Sequence, residues 1–193
     1  MKERFLKFVD QERSDVTFGT FHGIFYGILK AAYNLSAANI LSEEEKYSIL
    51  REMTEQYGKE MSQEGDFLEE ISKEISIVKG NCISLEHYYA SCCSDEVFRE
   101  IFTGYKNALR ARRKLDFDDM LLCCYELFVK RPDILNGWRK KFVHILVDEF
   151  QDINSLQYKI LRMLAAPADN LFIVGDDDQS IYHFRGARPE IML

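Results

Sequence analysis

Three short apolar runs constrain this chain more than any other feature. They are Val16-Thr17-Phe18-Gly19-Thr20, Phe142-Val143-His144-Ile145-Leu146-Val147 and Leu171-Phe172-Ile173-Val174. The first gives way at once to Phe21-His22, the second to Asp148-Glu149 and the third to Gly175-Asp176. Near-continuous apolar strands of this kind belong to parallel sheets covered on both faces. Helices read clearly between them. After His22, Ile24, Phe25, Ile28 and Leu29 repeat at helical spacing, and after Asn154-Ser155, a good N-cap, Leu156, Ile160, Leu161 and Leu164 do the same. Pro167 is expected to end that helix. A parallel strand–helix–strand unit needs a right-handed crossover, so the expected class is α/β.

The middle of the chain has a different rhythm. From about residue 36 to 115 no run reads as a strand. Segments 43–61, 67–78 and 95–113 each read as a helix with one apolar stripe, and the acidic character of the first two fits a solvated face. A further helix is expected over 116–129, opened by Asp116 or Asp118, with Met120, Leu121, Cys124, Leu127 and Phe128 turned inward. The chain thus divides into an α/β unit, 1–35 with 115–193, and an all-helical insertion, 36–114. By residue count it is mostly α.

Composition narrows the function. The 193 residues suit one domain or one and a half, long enough to bury a core without staples. Lys plus Arg is 25 against 32 for Asp plus Glu, a net charge of −7, which argues against a general polyanion binder but not against a local nucleic-acid groove. Apolar residues make up 47% and charged residues 30%, the balance of a folded chain. No apolar run approaches the roughly 18 residues a bilayer span needs, and the start, Met1-Lys2-Glu3-Arg4, has no signal-peptide character, so no membrane partner and a cytoplasmic location are expected. Cys82, Cys92-Cys93 and Cys123-Cys124 lack C-x-x-C spacing and read as free, mostly buried thiols.

The strand ends carry the chemistry. Asp148-Glu149 follows the second run, where parallel sheets bind ligands. One carboxylate there can hold Mg²⁺ and the other can deprotonate a water; strand-end surface charge is the plain alternative. After the third run stands Gly175-Asp176-Asp177-Asp178-Gln179-Ser180-Ile181-Tyr182-His183-Phe184-Arg185-Gly186-Ala187. The neutral Gln179 can donate to a phosphate oxygen and accept from water. Tyr182 and Phe184, with Arg185 beside them, suit a platform for stacked bases, or equally core residues with an ion-paired Arg. Thr20, Phe21 and His22 offer a hydroxyl, a ring and an imidazole before a helix start, fit for a phosphate and a base, although a lone His is more often structural. Leu115-Asp116-Phe117-Asp118-Asp119 reads as an acidic helix start that suits the helix dipole. The basic run Arg110-Ala111-Arg112-Arg113-Lys114 is either a solvated helix end or a contact to backbone phosphates.

Taken in order, these segments resemble the UvrD/Rep/PcrA-type superfamily 1A DNA helicases. Asp148-Glu149-Phe150-Gln151-Asp152 is similar to motif II, Gly175 to Ala187 to motif III, Gly19-Thr20-Phe21-His22 to motif Ib, and Leu115 to Asp119 to the segment that follows the helical 1B subdomain. Motif III is the most specific, and the resemblance spans nearly the whole chain. It implies a partial RecA-like domain 1A interrupted by domain 1B. It implies that Asp148 holds the Mg²⁺ of Mg-ATP, that Glu149 is the catalytic base and that Gln179 senses the γ-phosphate. Tyr182, Phe184, Arg185, Thr20, Phe21, His22 and Phe117 would line a track for single-stranded DNA. Phe184 stands where several relatives carry Trp, and either ring can stack.

One departure matters. No G-x-x-x-x-G-K-[ST] occurs in the 193 residues. Met1-Lys2-Glu3-Arg4 looks like the tail of motif Ia, so the resemblance sets the P-loop upstream and the second RecA-like domain downstream. The expected parent is an ATP-dependent translocase and helicase of bacterial type, nucleoid-associated, acting on single-stranded DNA and duplex–single-strand junctions in DNA repair or recombination. The piece alone is expected to bind neither ATP nor Mg²⁺ tightly and to be inactive. Its open apolar sheet edge is expected to pair with a second copy as a homodimer or strand swap. Two other readings compete: a P-loop-free module that binds DNA or protein, and a Mg²⁺-dependent nuclease built on Asp148, Glu149 and Asp176.

Overall fold

The computed structural model describes residues 2–9, 15–58 and 65–176. Within them the chain forms α1 (Lys2–Phe8), α2 (Phe21–Tyr33), α3 (Glu43–Thr54), α4 (Gly65–Gly80), α5 (Asp95–Arg112), α6 (Phe117–Lys130), α7 (Pro132–Lys141), β1 (Ile145–Val147), α8 (Ser155–Ala165) and β2 (Leu171–Ile173). Local signals set most boundaries. Ser42 and Glu45 satisfy each other's backbone N–H at the start of α3, and Asn154 and Gln157 do the same for α8. Asp116 accepts from the Asp119 N–H at the start of α6, and Pro132 opens α7 where no N–H is needed. Asn34 and Arg113 close α2 and α5 in the left-handed conformation.

Two cores result. Ile49, Leu50, Leu68, Ile71, Ile75, Phe98, Ile101 and Tyr105 pack α3, α4 and α5 together. Phe25, Ile28 and Leu29 of α2 meet Met120, Leu121, Cys124, Leu127 and Phe128 of α6, with Leu135, Leu156, Ile160 and Leu164 from α7 and α8. The chain passes between the cores at two points that run side by side: Leu41 N–H donates to the Leu115 carbonyl and Leu115 N–H to that of Asn39. Where α4 ends against α8 the fit is close. A Cβ on Gly80 would lie 2.8 Å from the Asn154 amide nitrogen.

β1 and β2 pair in parallel, Ile145 opposite Leu171, Leu146 opposite Phe172 and Val147 opposite Ile173. The fold class is therefore α/β and mostly helical, but four expectations need correction. The run at 16–20 is not a strand: the described sheet has two strands, and these residues lead into α2, with Thr20 as its cap. The run is mostly exposed, with Phe18 half-buried against Phe5, and a strand also needs a hydrogen-bonded neighbour. Nor is the sheet covered on both faces among the described residues, since Leu146 is 74% and Phe172 61% exposed. The helix expected over 43–61 stops at Thr54. There the Thr54 hydroxyl donates back to the Leu50 carbonyl, and Gly58 takes a φ of +130° that no helix can use; Met61 lies outside the described residues. The five cysteines are free, yet Cys124 alone is buried, Cys82 is exposed and the rest are half-buried. No helix of the described residues is long and apolar enough to cross a membrane.

Candidate functional site

The end of β1 turns sharply. Asp148 and Glu149 are both exposed, and Glu149 sits at φ 53°, ψ 45°, a left-handed conformation that a side chain disfavours. The Asp148 carboxylate accepts from the Glu149 N–H at 3.1 Å. A single 3₁₀ turn, Phe150–Asp152, follows and is anchored by the buried Phe150 ring, edge-on to Tyr158. Phe150 N–H donates to the Val174 carbonyl and Val174 N–H to that of Val147, so the ends of β1 and β2 are laced together.

Gln151 fills the space between them. It is 2% exposed, donates from Nε2 to Glu149 Oε2 at 2.7 Å, and accepts at Oε1 from the Asp176 N–H at 3.1 Å. Gly175 lies directly beneath: a Cβ there would come 2.5 Å from Gln151 Oε1. Asp152 has one buried oxygen, Oδ1, with no hydrogen-bond partner among the described residues, and burial followed by the nearby Glu149 charge pushes its carboxyl pKa up. Asp148 offers an exposed carboxylate oxygen, the hard donor that Mg²⁺ takes, and so suits that ion through donor chemistry. No group of three or more His, Cys, Asp or Glu with metal-holding geometry occurs among the described residues.

The segments at 20–22 and 115–119 come together. Thr20 Oγ1 accepts from the Gly23 N–H as the cap of α2, and the Phe21 ring packs against Phe25. His22 and Phe117 stand nearly perpendicular, ring centroids 5.3 Å apart. Burial lowers the His22 pKa, which favours the neutral ring. Phe117 is 48% exposed. Both line a cleft of about 660 Å³ that also takes in Lys46, Lys73, Asp118 and Asp152. The cleft therefore runs from the ring pair to Asp152, on the turn after Glu149, while Asp148 and Glu149 themselves lie outside its lining. Gln179, Tyr182, Phe184 and Arg185, with Asp177 and Asp178, lie outside the described residues.

A buried ion cluster lies behind the cleft. Lys79 Nζ donates to Asp116 Oδ2 and Asp119 Oδ1, each at 2.7 Å, and the Tyr105 hydroxyl donates to Asp116 Oδ2 at 3.0 Å. Burial alone would lower the Lys79 pKa, but Asp116 and Asp119 outweigh it and raise it. Asp118 accepts from the Ser76 hydroxyl at 2.7 Å, and burial, then the Asp116 charge, push its carboxyl up to about 6. This cluster joins α4 and α5 to the start of α6. Sequence reasoning did not single out Lys79 or Gln151. For Lys79 a signal existed, since it continues the apolar positions Ile71 and Ile75 at steps of four and needs a countercharge there. The basic run at 110–114 is in part paired with α3, Arg112 with Glu52 and Lys114 with Glu45.

An acidic pair thus stands at the end of a parallel strand, where such sheets bind ligands, and the turn that follows it reaches a cleft edged by the half-buried His22 and the exposed Phe117. The chain belongs to the UvrD/REP helicase N-terminal domain family, whose profile matches residues 1–193. It is 39% identical over 181 residues to YjcD of Bacillus subtilis, covering 91% of this chain and 23% of that protein. It is 31% identical to DNA helicase II of Escherichia coli, covering 98% and 27%, and 31% identical to ATP-dependent DNA helicase PcrA of Bacillus subtilis, covering 97% and 26%. The chain thus spans about a quarter of the length of these relatives.

Proposed function

We propose that these residues form the part of an ATP-dependent DNA helicase that activates water for ATP hydrolysis and contacts single-stranded DNA. In this reading 1–35 with 115–193 are a partial RecA-like domain and 36–114 is the helical subdomain set into it. Asp148 holds Mg²⁺, which supplies charge neutralisation at the phosphates when bound. Glu149 takes a proton from water as the water oxygen attacks the γ-phosphorus and the bond to the bridging oxygen of ADP breaks, leaving ADP and inorganic phosphate. Gln179 reads the γ-phosphate. His22 and Phe117, with Thr20 and Phe21 behind them and Tyr182, Phe184 and Arg185 further along the chain, serve the DNA strand. A neutral His22 ring packed edge-on to Phe117 offers stacking surface without a fixed charge.

The observation that carries this reading is the continuity of one cleft from the His22–Phe117 pair to the Asp152 turn that follows Glu149. Because the 193 residues hold no G-x-x-x-x-G-K-[ST], they lack that loop's phosphate-binding N–H groups and are expected not to turn over ATP alone. In the full-length polypeptide, DNA-stimulated ATPase activity is expected and Glu149→Gln should lower kcat by about 100-fold or more. The assay is steady-state phosphate release with and without oligo-dT. Full activity in Glu149→Gln would remove the base assignment, and absence of any DNA-stimulated turnover would remove the function.

A further inference from the structure

We infer that Gln151 is a positioning residue that aims the Glu149 carboxylate and ties it to the backbone leaving β2. The inference rests on the reading of Glu149 as the base. Glu149 occupies a disfavoured left-handed backbone on an exposed turn, so the direction of its side chain needs support from elsewhere. Gln151 is the group that reaches it. Its side chain is buried and each end of its amide has one partner, the Glu149 carboxylate for Nε2 and the Asp176 N–H for Oε1. A carboxylate at this position could accept but not donate; a lysine could donate but not accept; an asparagine is one methylene shorter. Gly175 keeps the slot open, because a Cβ would drive into Gln151 Oε1 at 2.5 Å.

The arrangement has a consequence for coupling. Gln179 follows Asp176 by three residues in the sequence. Any shift of the Asp176 backbone is passed by one rigid amide to the Glu149 carboxylate. A residue that only filled space between two strand ends would have no need of an amide with both ends engaged.

Two experiments test this. In the 193-residue chain, the ¹⁵N side-chain amide resonance of Gln151 is followed by NMR. Glu149→Ala should move it, since the carboxylate that accepts its hydrogen bond is removed; an unmoved resonance overturns the inference whatever the enzyme does. In the full-length polypeptide, Gln151→Leu should lower kcat by about 30-fold while KM for ATP changes by less than about threefold, and Gly175→Ala should give the same split. Gln151→Glu supplies the readout that a purely structural role would not move. Its protonated side chain can donate to Glu149 and accept from Asp176, so its kcat should recover towards the unsubstituted value on acidification. A uniform loss at every pH overturns the inference. Absence of ATPase in the unsubstituted full-length protein instead removes the proposed function, and the NMR result still decides whether Gln151 holds Glu149.

Discussion

Two segments of this chain look alike in sequence and behave in opposite ways. Asp116-Phe117-Asp118-Asp119 and Asp148-Glu149-Phe150-Gln151-Asp152 each gather acidic residues around a Phe at the start of a helical turn. In the first, the carboxylates face inward, where Lys79, Tyr105 and Ser76 meet them. In the second, Asp148 and Glu149 face solvent and the fully buried polar side chain is the neutral Gln151. Carboxylates neutralised by a buried cation hold the fold together. The Asp148 and Glu149 carboxylates are instead open to a ligand, and Glu149 accepts from the Gln151 amide. Composition alone does not separate the two; the partner that each segment finds across the fold does.

The largest expected effect tests the first half of that contrast. Lys79→Met leaves the buried Asp116 and the half-buried Asp119 without their cation and should cost about 3–5 kcal/mol of unfolding free energy, whereas removing the exposed Glu149 charge as Glu149→Gln should change stability by less than about 0.5 kcal/mol. Urea titration of the chain measures both. A cost for Lys79→Met below about 1 kcal/mol would mean that the cluster is ornamental and the contrast false.

The next effect is smaller and depends on pH. Asp118 has a carboxyl pushed up to about 6, above its value of about 3.9 in an unfolded chain. The folded state therefore holds the proton more tightly. The stabilisation this brings is complete below about pH 4 and is lost as pH rises through about 6. Asp118→Asn keeps an oxygen to accept from Ser76 and removes the charge. It should be more stable than the unsubstituted chain by about 2 kcal/mol at pH 7.5, with the difference closing as pH falls to 4. Unfolding midpoints across that range check it, and a difference that stays constant with pH would show that Asp118 does not titrate between folded and unfolded states as described.

What the sequence made legible was local. The periodicity of α6 marked its five inward residues, Asp116 was one of two candidate caps, and Asn154-Ser155 announced α8, because each signal and its response lie within one or two turns. α7 went unread, although Pro132 stands at its first turn and Ile134, Leu135 and Trp138 keep helical spacing. The candidate site stood out as letters at 148–152 and at 20–22, where an Asp-Glu pair enters a 3₁₀ turn and a Thr-Phe-His run opens α2. Its organisation did not. Lys79 finds its carboxylates 37 and 40 residues away, and Gln151 finds the Asp176 N–H 25 residues away, so no window of neighbouring residues contains either pairing. The run at 16–20 shows the converse limit, for its apolar letters brought neither burial nor a neighbouring strand among the described residues.

The smallest expected effect is the one that most directly opposes stability to chemistry at the second segment. Glu149 holds a backbone conformation that costs a side-chain-bearing residue about 1–2 kcal/mol and a glycine almost nothing, while glycine loses about 0.5–1 kcal/mol more chain entropy on folding. Glu149→Gly should therefore gain up to about 1 kcal/mol from the backbone and lose about 1 kcal/mol with the hydrogen bond from the buried Gln151, a net change of less than about 0.5 kcal/mol. The same substitution should abolish DNA-stimulated ATP hydrolysis in the full-length polypeptide. Thermal unfolding of the chain and phosphate release by the full-length protein give the two readouts. A variant that is destabilised by more than about 1 kcal/mol would show that the Gln151–Glu149 hydrogen bond outweighs the backbone strain, and the left-handed turn would then be held by that contact and not tolerated for the sake of an exposed acid.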